Sequence, residues 1–557
     1  MERIAKALTC FDHALERYFS KKWHWLITVP AVVLLLTGLY FLFCFSTSRY
    51  ATTGYCSEEW RKAGHIVGAI IIVHSLAYIF LEIYLRLATG RKVVWGFMVI
   101  ASTFLVLWAF NAALDLSPYH HDAGAMGNGN HWSIIYDIYS TGRIPPVNKY
   151  NQYYQPKLYH TIIAGLMKFN SLFIHIGDEP LSDKYPAYTL SAYQSLELTR
   201  VFMICLGIAS FYAIYRIYRG LGLSDKKVAV CTAITILLPE FWYIQFFMNN
   251  DGLALTLSLM ALALALEFRK KENIIPLLFS ALCLGLAMMA KINAALMAIP
   301  MAAIFAITFF KKFAETEEKG KKIGFLLLKF GAFALIVFPL GLWVPIFYKV
   351  QYGLPIGYVM DLCPTLEQKK NYGMYIDPEF YNFFQRCIAF PSEDFFFSPF
   401  NFRWRSRVNG VYVNEYGKID FNCWTAFFKT GFFDEWSSFF DKQGYIAGAL
   451  LVLGLYVEVL LVFVAIFVGI WYVFRFFYKK QFRLDPTKQI VLVVTAITYV
   501  INYIYFVNKY PVGCSQNARY LMPFFLPLQA LVGSMLCDAQ SFLSGRSKKR
   551  EDTVKAE

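Results

Sequence analysis

Stretches of roughly 20 predominantly apolar residues recur along this chain, and that is the length an α-helix needs to cross the hydrocarbon core of a bilayer. In lipid every backbone N–H and C=O must be paired inside its own segment, so such runs are committed to helix. About twelve are present: Trp25 to Phe45, His65 to Leu87, Val93 to Leu114, Leu198 to Tyr218, Val228 to Phe247, Gly252 to Phe268, Ile274 to Ala290, Ala294 to Phe310, Phe325 to Tyr348, Ile446 to Phe476, Ile490 to Val507 and Leu521 to Leu536. At 57% hydrophobic, 18% aromatic and 16% charged over 557 residues, the chain is too apolar for a soluble multidomain protein. The expected fold class is an all-α polytopic membrane protein.

A net charge of +15 raises the question of nucleic acid, but the basic residues sit in short clusters between apolar runs and form no long basic face. Lys21 and Lys22, the turn from Arg86 to Lys92, Arg216 to Lys227, Arg269 to Lys271, Lys311 to Lys322, Arg475 to Arg483 and the "SGRSKKR" tail all fall on one side of the expected topology. Cytoplasmic loops carry this excess of Lys and Arg, so that side is the cytoplasm, and both termini lie there. The N-terminus has no signal-peptide cleavage pattern, and its first apolar run is expected to be retained. Nucleic acid is excluded as a partner, and membrane lipid surrounds the chain.

Two long segments, Asp115 to Glu197 and Lys349 to Tyr445, then fall on the extracytoplasmic side. That side is oxidising, so among Cys56, Cys363, Cys387, Cys423 and Cys514 one or two disulfides can form, with the pairing open. The first segment begins with "SPYHHDAGAMGNGNHW", small, polar and titratable, directly after an apolar run. Next, "HWSIIYDIYSTGRIPP" places Trp132, Ile135, Ile138 and Tyr139 on one helical face and stops at Gly142 before Pro145 and Pro146. A second amphipathic helix is predicted from Pro156 in "QYYQPKLYHTIIAGLMKFNSLFIHIG". It is read as interfacial, because a further span would invert every later loop.

An acidic residue just beyond a spanning helix, an amphipathic helix, a "GxxP" element and an aromatic-rich approach to a proline form an ordered series here. In "HDAGAMGNGNHWSIIYDIYSTGRIPP" followed by "YYQPKLYHTIIAG", and later "MNNDGLALTLSLMALALAL", "AKINAALMAIP" and "NARYLMPFFLPLQALVG", that series resembles the GT-C membrane glycosyltransferases, in particular the protein mannosyltransferase and aminoarabinose-transferase branch. The resemblance covers about Val93 to Leu536 and makes residues 1–92 two added N-terminal helices. It makes 93–348 a GT-C-like core whose catalytic outer loop is 115–197, 349–445 an aromatic-rich outer loop, 446–537 the C-terminal helices and 538–557 a basic cytoplasmic tail. It implies a sugar donor hung from a polyprenyl phosphate, a hydroxyl acceptor (glycan, lipid, wall polymer or protein), extracytoplasmic transfer and inversion at the anomeric carbon. A bacterial plasma membrane is favoured over the endoplasmic reticulum.

The residues can be read for the same chemistry. Sugar transfer from a lipid phosphate needs a base for the acceptor proton and cationic donors for the charge growing on the leaving phosphate. Asp122, flanked by small residues at the outer end of a span, is the candidate base; the plain alternative is a helix cap. His120, His121 and His131 surround it, and His121 and His131 are the candidate metal ligands. No cofactor is required, a divalent metal stays open, and orientation of Asp122 by a histidine is the competing role. Lys157, His160, Lys291 and Arg519 are cations at outer helix ends and candidate phosphate ligands, Arg519 foremost because guanidinium takes phosphate oxygens in pairs; snorkelling anchors are the alternative for each. Tyr154, Gln155, Asn250, Asp251 and Tyr520 are read as substrate contacts, with Asp251 also a candidate helix N-cap. The aromatic "EDFFFSPFNFRWRSR" and "NCWTAFFKTGFFDEW" stretches are read as a partly embedded lid or an interfacial belt.

Two other functions stay open: a transporter or flippase of lipid-linked sugars, and a glycan polymerase or ligase. Transporters place ionisable groups near the bilayer midplane in broken helices, whereas polarity here concentrates at helix ends. Sugar and acceptor identity are not legible.

Overall fold

The structure is a computed structural model. It describes residues 102, 131–146, 149–150, 153–172, 189–197, 199–246, 249–315, 319–359, 365, 367, 375–389, 405–408, 411–414, 421–433, 452–467, 470 and 486–538. The first two apolar runs, all of the third but Ser102, the segment carrying His120, His121 and Asp122, and the basic tail beyond Asp538 lie outside these residues.

Within them the chain is almost entirely helical. Six helices are long and apolar enough to cross a membrane: Val201–Gly220, Asp251–Lys271, Ile292–Glu315, Gly320–Tyr352, Gln489–Lys509 and Gly513–Asp538. These fall on runs read from the sequence. A seventh, expected from Val228 to Phe247, is a bent pair, Asp225–Ile236 and Pro239–Gln245, with 58° between the halves. Pro239 explains the break, since its ring removes an N–H and clashes with the preceding turn. Ile274–Ala290 is a shorter apolar helix of 17 residues, and Val452–Phe467 is the described part of the run expected from Ile446 to Phe476. One small departure from the all-helical expectation is a hairpin, Arg405–Val408 against Val411–Asn414, antiparallel with Arg405 opposite Asn414.

The chain divides into two compact units. One comprises residues 1–152, 157–208 and 246–249. In it the His131–Thr141 helix buries Trp132, Ile134, Ile135 and Ile138, and the Leu158–Asn170 helix buries Tyr159, Ile163 and Met167. Both amphipathic helices therefore occur at the expected positions, the first ended by Gly142 at φ +69°. Asn170 Nδ2 donates to Ser195 O at 2.9 Å, which ties in the Leu190–Glu197 helix.

The other unit comprises residues 153–156, 209–245 and 250–557, and its helices have chemically distinct ends. The Asp251–Lys271 helix starts at an acid and finishes with Arg269, Lys270 and Lys271. At the finishing end Lys312 pairs with Glu272 at 2.9 Å, Lys270 Nζ donates to Arg219 O at 2.8 Å and Lys227 meets Asp538 at 2.8 Å. The helices are joined near that end by a cluster of Phe268, Leu277 and Leu326 with Phe305, Phe330 and Phe333. Ile274–Ala290 and the Lys319–Tyr352 helix approach closely where a Cβ on Gly285 would lie 2.8 Å from Leu340 Cβ. Lipid tails offer helices no hydrophobic drive to associate, so close contact at small residues carries the association. Only 11% of the most apolar window of Gly320–Tyr352 is buried, which leaves that helix to face lipid.

Candidate active site

At the other ends of these helices four side chains converge. The Asp251–Lys271 helix begins in the turn after Asn250, and Ile274–Ala290 runs back to deliver Lys291 beside that start, in extended backbone at φ −153° and ψ 125°. Lys291 Nζ donates to Asp251 Oδ1. Arg519 Nη1 lies 3.9 Å from the second carboxylate oxygen of Asp251. Tyr520 sits against both cations, its ring centroid 4.9 Å from Lys291 Nζ and 5.0 Å from the Arg519 guanidinium carbon; Arg519 Nη2 also donates to the Tyr520 hydroxyl at 3.2 Å. The side chains of Arg519, Asp251 and Lys291 are 6%, 10% and 13% exposed. Among the described residues, two cations and one carboxylate sum to one formal positive charge in a largely buried site, where charge acts far more strongly than in water.

The sequence explains how Arg519 is presented. After the Pro486–Lys509 helix the chain turns through two short 3-10 helices, Gly513–Gln516 and Ala518–Phe524. The Asn517 side chain accepts from Arg519 N at 2.9 Å, and Ala518 N donates to Thr430 Oγ1 at 2.8 Å. Gln516 Nε2 donates to Phe421 O at 3.0 Å. The Tyr503 hydroxyl lies 2.7 Å from Gln516 O and 2.9 Å from Cys423 O.

The cluster lines a cavity with about 480 Å³ of empty volume, whose wall also includes Ile244, Leu255, Ser258, Asn293 and Tyr499. Asn250, fully buried, donates to Ala290 O at 2.6 Å and to the Gln155 side chain, so Gln155 is held to the start of the same helix. Tyr154 lines a second cavity of about 290 Å³ with Pro156, Tyr348, Pro355 and Tyr358. Tyr348 Oη donates to Tyr153 O at 2.9 Å.

The structure thus brings Gln155, Asn250, Asp251, Lys291, Arg519 and Tyr520 together. The cap reading of Asp251 is corrected: Asn250 is the N-cap, without a side-chain cap bond, and the Asp251 carboxylate is taken by Lys291. Tyr499, Ser258 and Asn293 had not been singled out in the sequence. Tyr499 stands one helical turn before Tyr503, and a tyrosine pair at that spacing inside an apolar span was the available signal.

Lys157 and His160 belong to the first unit. Both are buried, and burial pushes the Lys157 ammonium down to about 7. His160 is held well below the usual histidine range by burial, then by His131 and Lys157. His131 Nδ1 and His160 Nε2 are 2.7 Å apart, a hydrogen bond between two imidazoles. His131, expected to face a metal with His121, is therefore engaged by His160, and His121 lies outside the described residues. Among the described residues no three His, Cys, Asp or Glu side chains gather as a metal site.

The sequence model of the dolichyl-phosphate-mannose-protein mannosyltransferase family matches residues 191–343. The match supports a GT-C superfamily glycosyltransferase. It spans about a quarter of the chain and takes in Asn250, Asp251 and Lys291 of the cluster. No curated protein and no solved structure matches the chain. The buried cationic cluster lies at the helix ends opposite the Lys- and Arg-rich turns.

Proposed function

We propose that this membrane glycosyltransferase moves a sugar from a polyprenyl-phosphate donor to a hydroxyl acceptor on the extracytoplasmic side, with inversion at the anomeric carbon. The observation that carries the reading is the Lys291, Arg519 and Asp251 cluster, a buried site of net positive charge at the helix ends away from the basic turns. A phosphate diester enters such a site as a monoanion and leaves as a monoester of greater charge, so fixed cations favour the transition state over the bound donor. Asp251 sets the spacing of the two cations. Its carboxylate is held by Lys291, and in this account the base is Asp122. Lys157 and His160 are further candidates for the phosphate, and Tyr154, Gln155, Asn250 and Tyr520 for the sugar and acceptor. Apolar walls beside the cluster suit a prenyl chain, whose phosphate lies at headgroup depth.

In this account the Val93 to Leu114 span leaves the membrane shortly before Asp122, and the small residues from Ala123 to Gly129 let donor and acceptor approach it. The acceptor hydroxyl gives its proton to Asp122 as its oxygen bonds to the anomeric carbon, and the bond to phosphate oxygen breaks on the opposite face. Purified protein in lipid nanodiscs, given labelled polyprenyl-phosphate sugars and a membrane extract as acceptor source, should release polyprenyl phosphate and pass label to the extract. Movement of intact donor across proteoliposomes without any cleavage would favour the flippase instead.

A further inference from the structure

We propose that Cys387 and Cys423 form a disulfide that clamps the turn presenting Arg519. The proposal rests on the extracytoplasmic assignment of residues 349–445.

Cys387 ends the Phe383–Cys387 helix and Cys423 begins the Cys423–Phe433 helix. Both are free thiols in the structure, and each lies close enough to perturb the acidity of the other. The backbone around them fixes that approach. Asn422 Nδ2 donates to Gln385 O at 2.8 Å and also to Ala389 O, and Trp424 Nε1 donates to Cys387 O at 2.7 Å. The residues on both sides of Cys423 are thus bonded to the backbone at and around Cys387. Asn508 Nδ2 donates to Cys387 Sγ at 3.2 Å, and Arg386 Nη2 to Val507 O at 2.5 Å. Both cysteines are buried, 4% and 0% exposed.

The pair sits on the support of the candidate phosphate site. Through Tyr503 the carbonyl of Cys423 shares a hydroxyl with Gln516, and two helical turns further Thr430 accepts from Ala518 N. Arg519 follows directly. A bond between the cysteines would close residues 388–422 into a loop and hold the Cys423–Phe433 helix in register with the 513–524 turn. The pair acts on the donor only through Arg519 and is a positioning element.

The chemistry balances with a carrier disulfide, the ordinary oxidant of an oxidising compartment. Cys387 supplies the first thiolate while the two short helices are still open. Its thiolate attacks the carrier disulfide and releases one carrier thiol. Cys423 then loses its proton and attacks Cys387 Sγ, releasing the second. Two protein thiols are oxidised by two electrons, and the carrier disulfide is reduced to two thiols. Since the folded pair is buried, the exchange takes place before the two short helices close over it.

The full chain in its membrane is quenched with N-ethylmaleimide in denaturant, digested without reductant and read by mass spectrometry. A peptide pair linked at Cys387 and Cys423, lost on reduction, is expected; maleimide on both cysteines overturns the proposal. Outside labelling of Ser117→Cys by an impermeant maleimide reports the orientation separately, so a labelled position 117 with free thiols refutes the disulfide and spares the topology. In turnover, the Cys387→Ala, Cys423→Ala double variant should raise the donor KM on the order of 10-fold with kcat changed less than about twofold, as expected for a displaced positioning group. Tyr503→Phe, which keeps both cysteines, should raise the donor KM in the same direction. Unchanged KM in both variants overturns the positioning role.

Discussion

Replacing Arg519 tests the phosphate site, and the size of the effect can be worked from its surroundings. The guanidinium is 6% exposed and 3.9 Å from the Asp251 carboxylate, a separation at which one unit charge acts on another with about 4 kcal/mol at an effective dielectric of 20. A donor phosphate at comparable distance would feel a similar attraction. Arg519→Lys keeps the charge and loses the planar fork, so the loss is about one charge-assisted hydrogen bond, 1 to 3 kcal/mol or roughly 5- to 150-fold in donor Kd. Arg519→Ala also takes the formal charge of the cluster from positive to neutral, so the loss should reach about 3 kcal/mol or more. Neither change strands a buried carboxylate, because Asp251 keeps Lys291, and the fold should survive. Binding of labelled polyprenyl phosphate to purified protein at physiological ionic strength reads the effect. A Kd within about twofold of the parent in both variants would refute the phosphate role and leave Arg519 a structural partner of Tyr520.

Lys157, pushed down to about 7 by burial, should make donor affinity depend on pH. Its ammonium is charged below that value in the folded protein, so the attraction for phosphate is present at pH 6 and lost as pH rises through 7, up to about 10-fold by pH 8. A phosphodiester donor does not itself titrate there, and Lys157→Arg should flatten the profile; an unchanged slope in that variant contradicts the assignment. The same shift gives a stability trend of the opposite sign. With a folded value near 7 against 10.5 unfolded, the unfolded chain binds more protons in between, so stability rises with pH across that window and its gain is lost as pH falls through 7. Gly285→Leu forces a side chain into Leu340, where even a Cβ would lie 2.8 Å away. A loss of about 1 to 3 kcal/mol is expected, seen as a lower melting temperature in detergent; unchanged melting would mean that the two helices do not pack as described.

The spans were legible because lipid leaves the backbone no choice but helix, and the runs ending at Tyr218, Phe268, Phe310, Tyr348 and Val507 mark helices that the structure contains. The bend before Pro239 could be read from the proline, though the sequence assigned one straight span. The cluster was legible in part. Arg519, Lys291 and Asp251 stood out as charges at helix ends, but their mutual pairing depends on which helix neighbours which, and apolar periodicity carries no such information. That is why Asp251 looked like a cap and proves to be the partner of Lys291. The contact of His131 with His160 was illegible for the same reason, since the two are 29 residues apart. The support that Thr430 gives Arg519 was invisible because a single polar residue in an apolar helix has no local pattern.

The central claim concerns the base, and Asp122→Asn tests it most directly. Asparagine keeps the size and the capping ability of aspartate but cannot take the acceptor proton. An aspartate with an ordinary pKa of about 4 is a weak base toward an alcohol, so it acts late, as the bond to phosphate breaks, and position matters more than basicity. Turnover of a polyprenyl-phosphate sugar by the purified variant should fall on the order of 100-fold or more while donor binding is largely retained. Near-normal turnover in Asp122→Asn would contradict the mechanism and leave Asp122 a helix cap.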